Sequence, residues 1–404
     1  MPMDGNPRKT AAIPRTVWAL GFVSLFMDVS SETIHGLLPL FLTTTLGASV
    51  LIVGVIDGVA EATASIVKVF SGYFSDRLRR RKPLILLGYG LAAITKPMFP
   101  LADGAMLVFT ARFADRIGKG IRGAPRDALV ADVTPQEIRG RAYGLRQALD
   151  TTGAFVGPLL AIALMFAFAN DMRAVFWVAA VPAAIAVLVV IFGVSEDARP
   201  ADDVKAKAPI RVRDLRVLDG AFWRVVAIAV VFSLARFSEA FLILQANALG
   251  LPLTFAPLVL VVMNVVYALG AYPAGMLADT LGARGLLLTG IALLIAADLV
   301  LAFASNVIYV FIAIVFWGAH MALTQGLFAK LVAERAPAAI RGSAFGIYHL
   351  TTGMALLTAS VIAGLVWDIY GARDAFLTAA VFAGVAAVML LAHSDYHFTG
   401  YRPD

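Results

Sequence analysis

The chain contains no cysteine among its 404 residues, which excludes disulfides and thiolate metal sites and leaves the redox compartment open. Charge is also scarce. Charged residues make up 15% of the sequence, where soluble domains carry about 25%. Neither a Gly-x-Ser-x-Gly nor a His-Glu-x-x-His pattern occurs, so no motif for an intramembrane enzyme is present and a non-enzymatic role is expected. The opening residues 1–15 are polar, and no small-residue cleavage site follows the first apolar run, so no removal of a leader is expected.

In place of charge the sequence has apolar residues, 60% of the total. A bilayer core about 30 Å thick needs about 20 mostly apolar residues per spanning helix. Twelve such stretches are predicted. In the first half they run Val17–Leu42, Ser49–Tyr73, Pro83–Leu101, Ala105–Ala124, Ala142–Ala167 and Ala174–Phe192. In the second they run Phe222–Leu249, Phe255–Ala278, Leu286–Ala304, Val307–Phe328, Ala344–Val366 and Ala375–Leu391. The fold class expected is therefore an all-α integral membrane protein of twelve transmembrane helices.

A formal charge of +6 suggests nucleic acid in a soluble protein, but here the basic residues segregate to one side of the predicted membrane. Arg79, Arg80, Arg81, Lys82, Arg139, Arg141, Lys205, Lys207, Arg211 and Arg213 all fall in alternate loops, whereas the opposite loops hold Arg173 and Arg373. The positive-inside rule then puts both termini in the cytoplasm of a bacterial inner membrane. No nucleic-acid partner is expected.

An internal repeat organises the chain. Gly72 to Asp76 (GYFSD) returns as Gly275 to Asp279 (GMLAD) at an offset of 203. Pro135, Arg139, Gly140, Ala142 and Gly144 return as Pro337, Arg341, Gly342, Ala344 and Gly346 at an offset of 202. Arg173 and Phe176 return as Arg373 and Phe376 at an offset of 200. Two pseudo-symmetric six-helix bundles follow, residues 1–194 and 220–404, joined by a charged linker at 195–219.

Ionisable groups inside the spans cost on the order of 3 kcal/mol each on insertion scales, so they mark a cavity or pathway. Helix one carries Asp28, Glu32 and His35 on one face; helix two carries Asp57, Glu61 and Lys68. Lys96 ends helix three, helix four carries Arg112, Asp115, Arg116 and Lys119, and helix five adds Arg146 and Asp150. Arg236 and Glu239 on helix seven, Asn264, Asp298, His320 and His349 complete a poorer second half. Glu32 is the expected proton carrier, with Asp28, Glu61 and Asp150 as substitutes, modulated by Arg112 or Arg116. The substrate cavity is expected to be lined by His35, Arg112, Asp115, Arg116, Lys119, Arg236, Glu239, Asn264 and His320. Lys68, Asp57 and Lys96 read as structural ion pairs or end-snorkelling side chains. The scattered aromatics Phe237, Phe241, Tyr267 and Phe316 can line a cavity but are commoner as packing residues.

The segment Gly72-Tyr-Phe-Ser-Asp76-Arg77, followed by its basic cluster, resembles the motif between helices two and three of the major facilitator superfamily, and its weaker copy at Gly275, Asp279 and Arg284 lies where that family keeps a second one. The resemblance implies two bundles rocking about a central cavity. Gly72 permits close helix approach, and Asp76 can cap the N-terminus of a neighbour, helix eleven by resemblance, as a cytoplasmic latch. Arg77 is then expected to pair with Asp127 or Asp132, while Arg79 to Lys82 set topology only. Arg116-Ile-Gly-Lys119-Gly120 resembles the Arg-x-x-Gln-Gly motif of proton-coupled members, with Lys119 in place of glutamine, and Arg112 with Asp115 offers a second alignment. Gly153, Gly157 and Pro158 on helix five resemble the Gly-x-x-x-Gly-Pro motif of family exporters, with Ala161 and Ile162 replacing its closing glycines. Together these imply a monomeric proton-coupled antiporter exporting a small organic molecule, with no cofactor. A transporter of a divalent metal ion or its chelate, using Asp28, Glu32 and His35, is the alternative.

Overall fold

A computed structural model describes residues 12–78, 80–196, 218–281, 283–337 and 340–392. The side chains of Asp76 and Asp279, and most of the expected linker, at 197–217, lie outside the described set. The described chain is helical and threads the bilayer twelve times. Helix one is Arg15–His35, helix two Val50–Arg77, helix three Lys82–Thr95, helix four Ala105–Val133, helix five Arg139–Ala167 and helix six Met172–Gly193. Helix seven is split into Gly220–Leu234 and Ala240–Ala248; helix eight is Leu258–Leu281, helix nine Ala283–Ala302, helix ten Val307–Arg335, helix eleven Arg341–Tyr370 and helix twelve Ala372–Ala392. Among the described residues nine segments are long and apolar enough to span by themselves. The other three crossings are helix three, which is short, helix four, which carries many charges, and helix seven, which is broken.

Local chemistry sets the helix ends. The side chains of Ser49, Asp171, Asp219 and Asn306 accept from backbone N–H groups in the first turns of helices two, six, seven and ten. Helix one stops at His35, and Pro39 opens a short further turn that continues as a π-helical turn to Thr45. Helix seven contains neither Gly nor Pro at its break. Instead Ser238 supplies a local alternative to the helix: its Oγ accepts from Ala240 N at 3.1 Å and donates to Asp57 Oδ2 at 2.7 Å, while its N–H donates to Ser360 Oγ at 3.2 Å. Arg236 and Glu239, expected on a continuous helix, therefore sit in non-helical backbone. Broken backbone at membrane depth is tolerated where it is buried in protein or lines a cavity.

The packing order repeats between halves. Helix one packs on five and six, two on four, three on four and six; helix seven packs on eleven and twelve, eight on ten, nine on ten and twelve. Adding six to each helix number in the first set gives the second. The halves meet mainly along helices two and eleven, and less along five and eight. Glycines permit that principal seam: a Cβ on Gly364 would lie 2.7 Å from Leu51 Cα, one on Gly58 3.0 Å from Leu357 Cα, and one on Gly353 3.1 Å from Ser65 Cβ.

We call the end carrying the start of helix one and the end of helix twelve the terminal face, and the other the distal face. At the distal face the halves are tied together. The Asp368 carboxylate accepts from Val50 N at 3.0 Å and Leu51 N at 2.9 Å, which places a carboxylate on the N-terminus of helix two. Thr254 bonds Asn170, and Phe166 meets Phe255 edge-on with centroids 5.4 Å apart.

The terminal face corrects part of the sequence reading. Asp132 is paired with Arg81 at 2.8 Å, and Asp127 with Arg126 at 3.1 Å, so neither acid is held by Arg77. Arg81 and Lys82 do more than set topology. Their backbone N–H groups cap helix three on Glu196 at 2.6 and 2.7 Å, and Lys82 Nζ donates to Ile191 O and Val194 O at 2.8 and 2.6 Å. A basic cluster there fastens the loop between helices two and three to the end of helix six.

Candidate functional site: a charged cavity between the halves

Helix four supplies the cations and its neighbours supply the anions. Because Arg112 and Arg116 are one turn apart, as are Asp57 and Glu61 on helix two, the two helices form consecutive rungs: Arg112 to Asp57 at 3.4 Å and Arg116 to Glu61 at 3.3 Å. The Arg112 rung is buried, whereas the Glu61 side chain is 48% exposed. Lys96 is not a snorkelling end residue. It is buried, 2.9 Å from Asp115 Oδ1 and 2.9 Å from Ser31 Oγ. Nearer the terminal face Arg126 and Arg146 share Asp127 and Asp150 at 3.1 to 3.8 Å. Arg122 lies over the Tyr89 ring, 4.6 Å from its centroid.

Helix one faces this array. Glu32 meets His35 Nδ1 at 3.4 Å and, among the described residues, touches no arginine. The expected contact of Glu32 with Arg112 or Arg116 is thus not made, because each guanidinium is engaged by a helix-two carboxylate. Asp28 forms no hydrogen bond or ion pair among the described residues, and lies within electrostatic reach of Asp150, Lys119, Arg122 and Glu32. The glycines of helix five act here. A Cβ on Gly153 would lie 2.5 Å from Leu25 O and 3.0 Å from Asp28 Cβ, and one on Gly157 2.8 Å from Glu32 Cβ. Thr33 Oγ1 donates to Gly157 O at 3.0 Å. The Gly-x-x-x-Gly-Pro segment is the surface on which the two acids of helix one rest.

The metal alternative loses its geometry. Asp28 shares a face with Glu32 and His35 yet does not join them, and among the described residues no three His, Asp or Glu side chains come together as ligands. On the latch, Gly72 faces Ala124 of helix four, with a would-be Cβ at 3.5 Å, rather than helix eleven, and Gly275 has nothing within 4 Å.

In the second half the expected cavity residues separate. His320 is fully buried against Trp317 and Phe232, and both ring nitrogens lack a partner. Its position on helix ten turns it into the bundle interior. Phe237 and Phe241 are also buried, packed with Trp317, Trp367 and Phe376, so they are core and not cavity. Arg236 and Glu239 remain at the helix-seven break, and Asn264 on helix eight is half-buried. Ser238, two residues from Arg236, touches Asp57, so the break joins the charged face of the first half directly. A cavity of about 310 Å³ between helices eight and ten is lined by Tyr267, Ala271, Ala274, Gly275, Met321 and Ala322, among others. Sequence reasoning missed Ser238, Ser360 and Asp368, three residues that join elements distant in sequence.

Comparison with known proteins agrees with this architecture. The family model for the Major Facilitator Superfamily matches residues 20–245 and again 225–400. An uncharacterised MFS-type transporter of Methanocaldococcus jannaschii is 29% identical over 395 residues, covering 96% of this chain and 97% of that one. The multidrug resistance protein MdtH of Proteus mirabilis is 31% identical over 161 residues, 40% of this chain and 37% of that one. Among solved structures, a POT family transporter in complex with a thioalcohol-conjugated peptide superposes with a TM-score of 0.79 at 14% identity, covering 96% and 97% of the two chains. The nucleoside transporter NupG superposes at 0.78 with 13% identity, covering 93% and 98%. Likeness at that identity speaks to the fold.

Proposed function

The chain belongs to the Major Facilitator Superfamily, and we propose that it is a proton-coupled antiporter that exports a small organic molecule by alternating access. The observation that carries this reading is the placement of Asp28 and Glu32. Both rest on the glycine face of helix five beside a cavity rich in charge, and neither is neutralised by an arginine. Such a carboxylate is free to exchange its proton with water, while Lys119 and the helix-four guanidiniums are near enough to change its affinity when the halves move. The partial similarity to MdtH supports export over uptake.

The rocking units proposed are residues 1–194 and 220–404, with 195–219 between them. The segregation of basic residues supports a terminal face in the cytoplasm of a bacterial inner membrane. Asp76 is proposed as the terminal-face counterpart of the Asp368 contact.

In liposomes with an imposed pH gradient and a pH-sensitive interior dye, Glu32→Gln is expected to abolish proton-driven transport while leaving substrate exchange largely intact. Full gradient-driven transport by both Glu32→Gln and Asp28→Asn refutes the helix-one proton site and moves the search to Glu61 or Asp150.

A further inference from the structure

The charged cavity is not electrically complete. Arg112, Arg116, Lys96, Arg126 and Arg146 each lie within 4 Å of a carboxylate oxygen. Lys119, one turn beyond Arg116, is exposed and lies within electrostatic reach of Glu61, Asp28 and Glu32, yet among the described residues it forms no hydrogen bond or ion pair with them. On the opposite half Arg236 is in the same condition. Its Nε is buried without an acceptor, and Glu239, Tyr348 and Tyr267 surround it electrostatically without a hydrogen bond or ion pair among the described residues.

A cation held inside a membrane protein without a partner is costly, and the arrangement persists where a ligand supplies the missing charge. The two cations come from different halves, on either side of the Asp57 to Ser238 contact at 2.7 Å. Tyr267, one of the groups around Arg236, also lines the cavity between helices eight and ten, whose other walls are mostly Ala, Gly, Met and Leu. At about 310 Å³ it holds a small ring system but no charged group of its own size.

We propose that the transported molecule is an amphipathic organic anion, its acidic group taken between Lys119 and Arg236 and its apolar body in the cavity between helices eight and ten. The inference rests on the transporter reading above and names the substrate class of that site. An anion bridging the halves neutralises both unpaired cations at once, whereas a cationic or neutral molecule leaves them bare. The planar guanidinium of Arg236 suits a carboxylate or sulfonate bidentately.

Three probes of one shape separate the possibilities: 2-naphthoate, 2-naphthamide and 2-naphthylmethylamine, titrated against the purified full chain in nanodiscs with no pH gradient. The naphthoate is expected to bind at least tenfold more tightly than either analogue. Lys119→Gln and Arg236→Gln are each expected to weaken it at least tenfold, and Arg236→Lys to recover part of the loss. Ala271→Phe, which fills the apolar cavity, should weaken naphthoate more than benzoate. Equal binding of the three probes, preference for the amine, no naphthoate binding below millimolar concentration, or indifference to both charge-removing variants in monodisperse protein overturns the proposal. Failure of the coupling reading looks different: anion binding then survives and depends on both cations, while gradient-driven flux is absent.

Discussion

Replacing Asp368 by Asn tests whether the distal contact holds the halves together. In the structure both carboxylate oxygens are used, one on Val50 N and one on Leu51 N, at the start of a 28-residue helix. Asn keeps one acceptor, loses the second bond and removes the charge that faces the helix N-terminus. The site is exposed, so the loss belongs at the low end for such contacts, about 1 kcal/mol. That free energy changes a two-state ratio about fivefold, too little to unfold the chain and enough to redistribute its conformations. Because the chain has no native cysteine, Thr45→Cys and Asp374→Cys, both exposed at the distal face, can carry a spin-label pair without further changes. Pulsed dipolar spectroscopy is expected to show a longer-distance population that grows in Asp368→Asn and grows further in Asp368→Ala. An unchanged distance distribution in both variants, with normal elution and melting, refutes the contact as a closure.

Lys96 and Asp115 are expected to behave as a buried pair: Asp115→Asn or Lys96→Met alone should cost about 3–5 kcal/mol, and Lys96→Met with Asp115→Leu should recover most of it, read from melting in detergent. Gly157→Ala should lower melting temperature and transport, because its Cβ meets Glu32 Cβ and Val29 O below 3 Å, whereas Gly144→Ala on the same helix, with nothing within 4 Å, should change neither. Asp76→Asn is expected to shift the same spin-label distance oppositely to Asp368→Asn, towards the distally closed state.

The twelve crossings and the twofold repeat were legible in the sequence because hydropathy and a fixed offset are properties of single segments and of segment order. Helix four was legible for another reason: its charges recur at helical spacing, and a face of charge inside a membrane needs a facing helix. Partner choice was less legible. Arg116 was expected beside Glu32 and instead holds Glu61, since the distance between helices one and four, unlike a spacing along one helix, depends on where Gly153 and Gly157 let helix five settle. The break in helix seven was hidden because Ser238 breaks it with a side chain and a distant partner, Asp57, not with Gly or Pro. His320 reads as a cavity residue by type alone; its turn of helix ten faces Phe232 and Trp317, and one helical position decides that.

Helices two and eleven are antiparallel, and that alone sets up opposing closures. At the distal face the N-terminus of helix two lies beside the C-terminal end of helix eleven, and Asp368 occupies that end. At the terminal face the relation is reversed, with the N-terminus of helix eleven beside the C-terminal end of helix two, where Asp76 stands in sequence. A carboxylate near each C-terminal end therefore meets a positive helix end without any further design. Between them Gly58 and Gly353 keep the helices close at mid-span, so the pair can pivot there rather than separate. Two contacts of similar strength acting at opposite ends of one pivot nearly cancel in the free-energy difference between states. A near-zero difference is the condition under which binding one proton or one anion in the cavity is enough to decide which face opens.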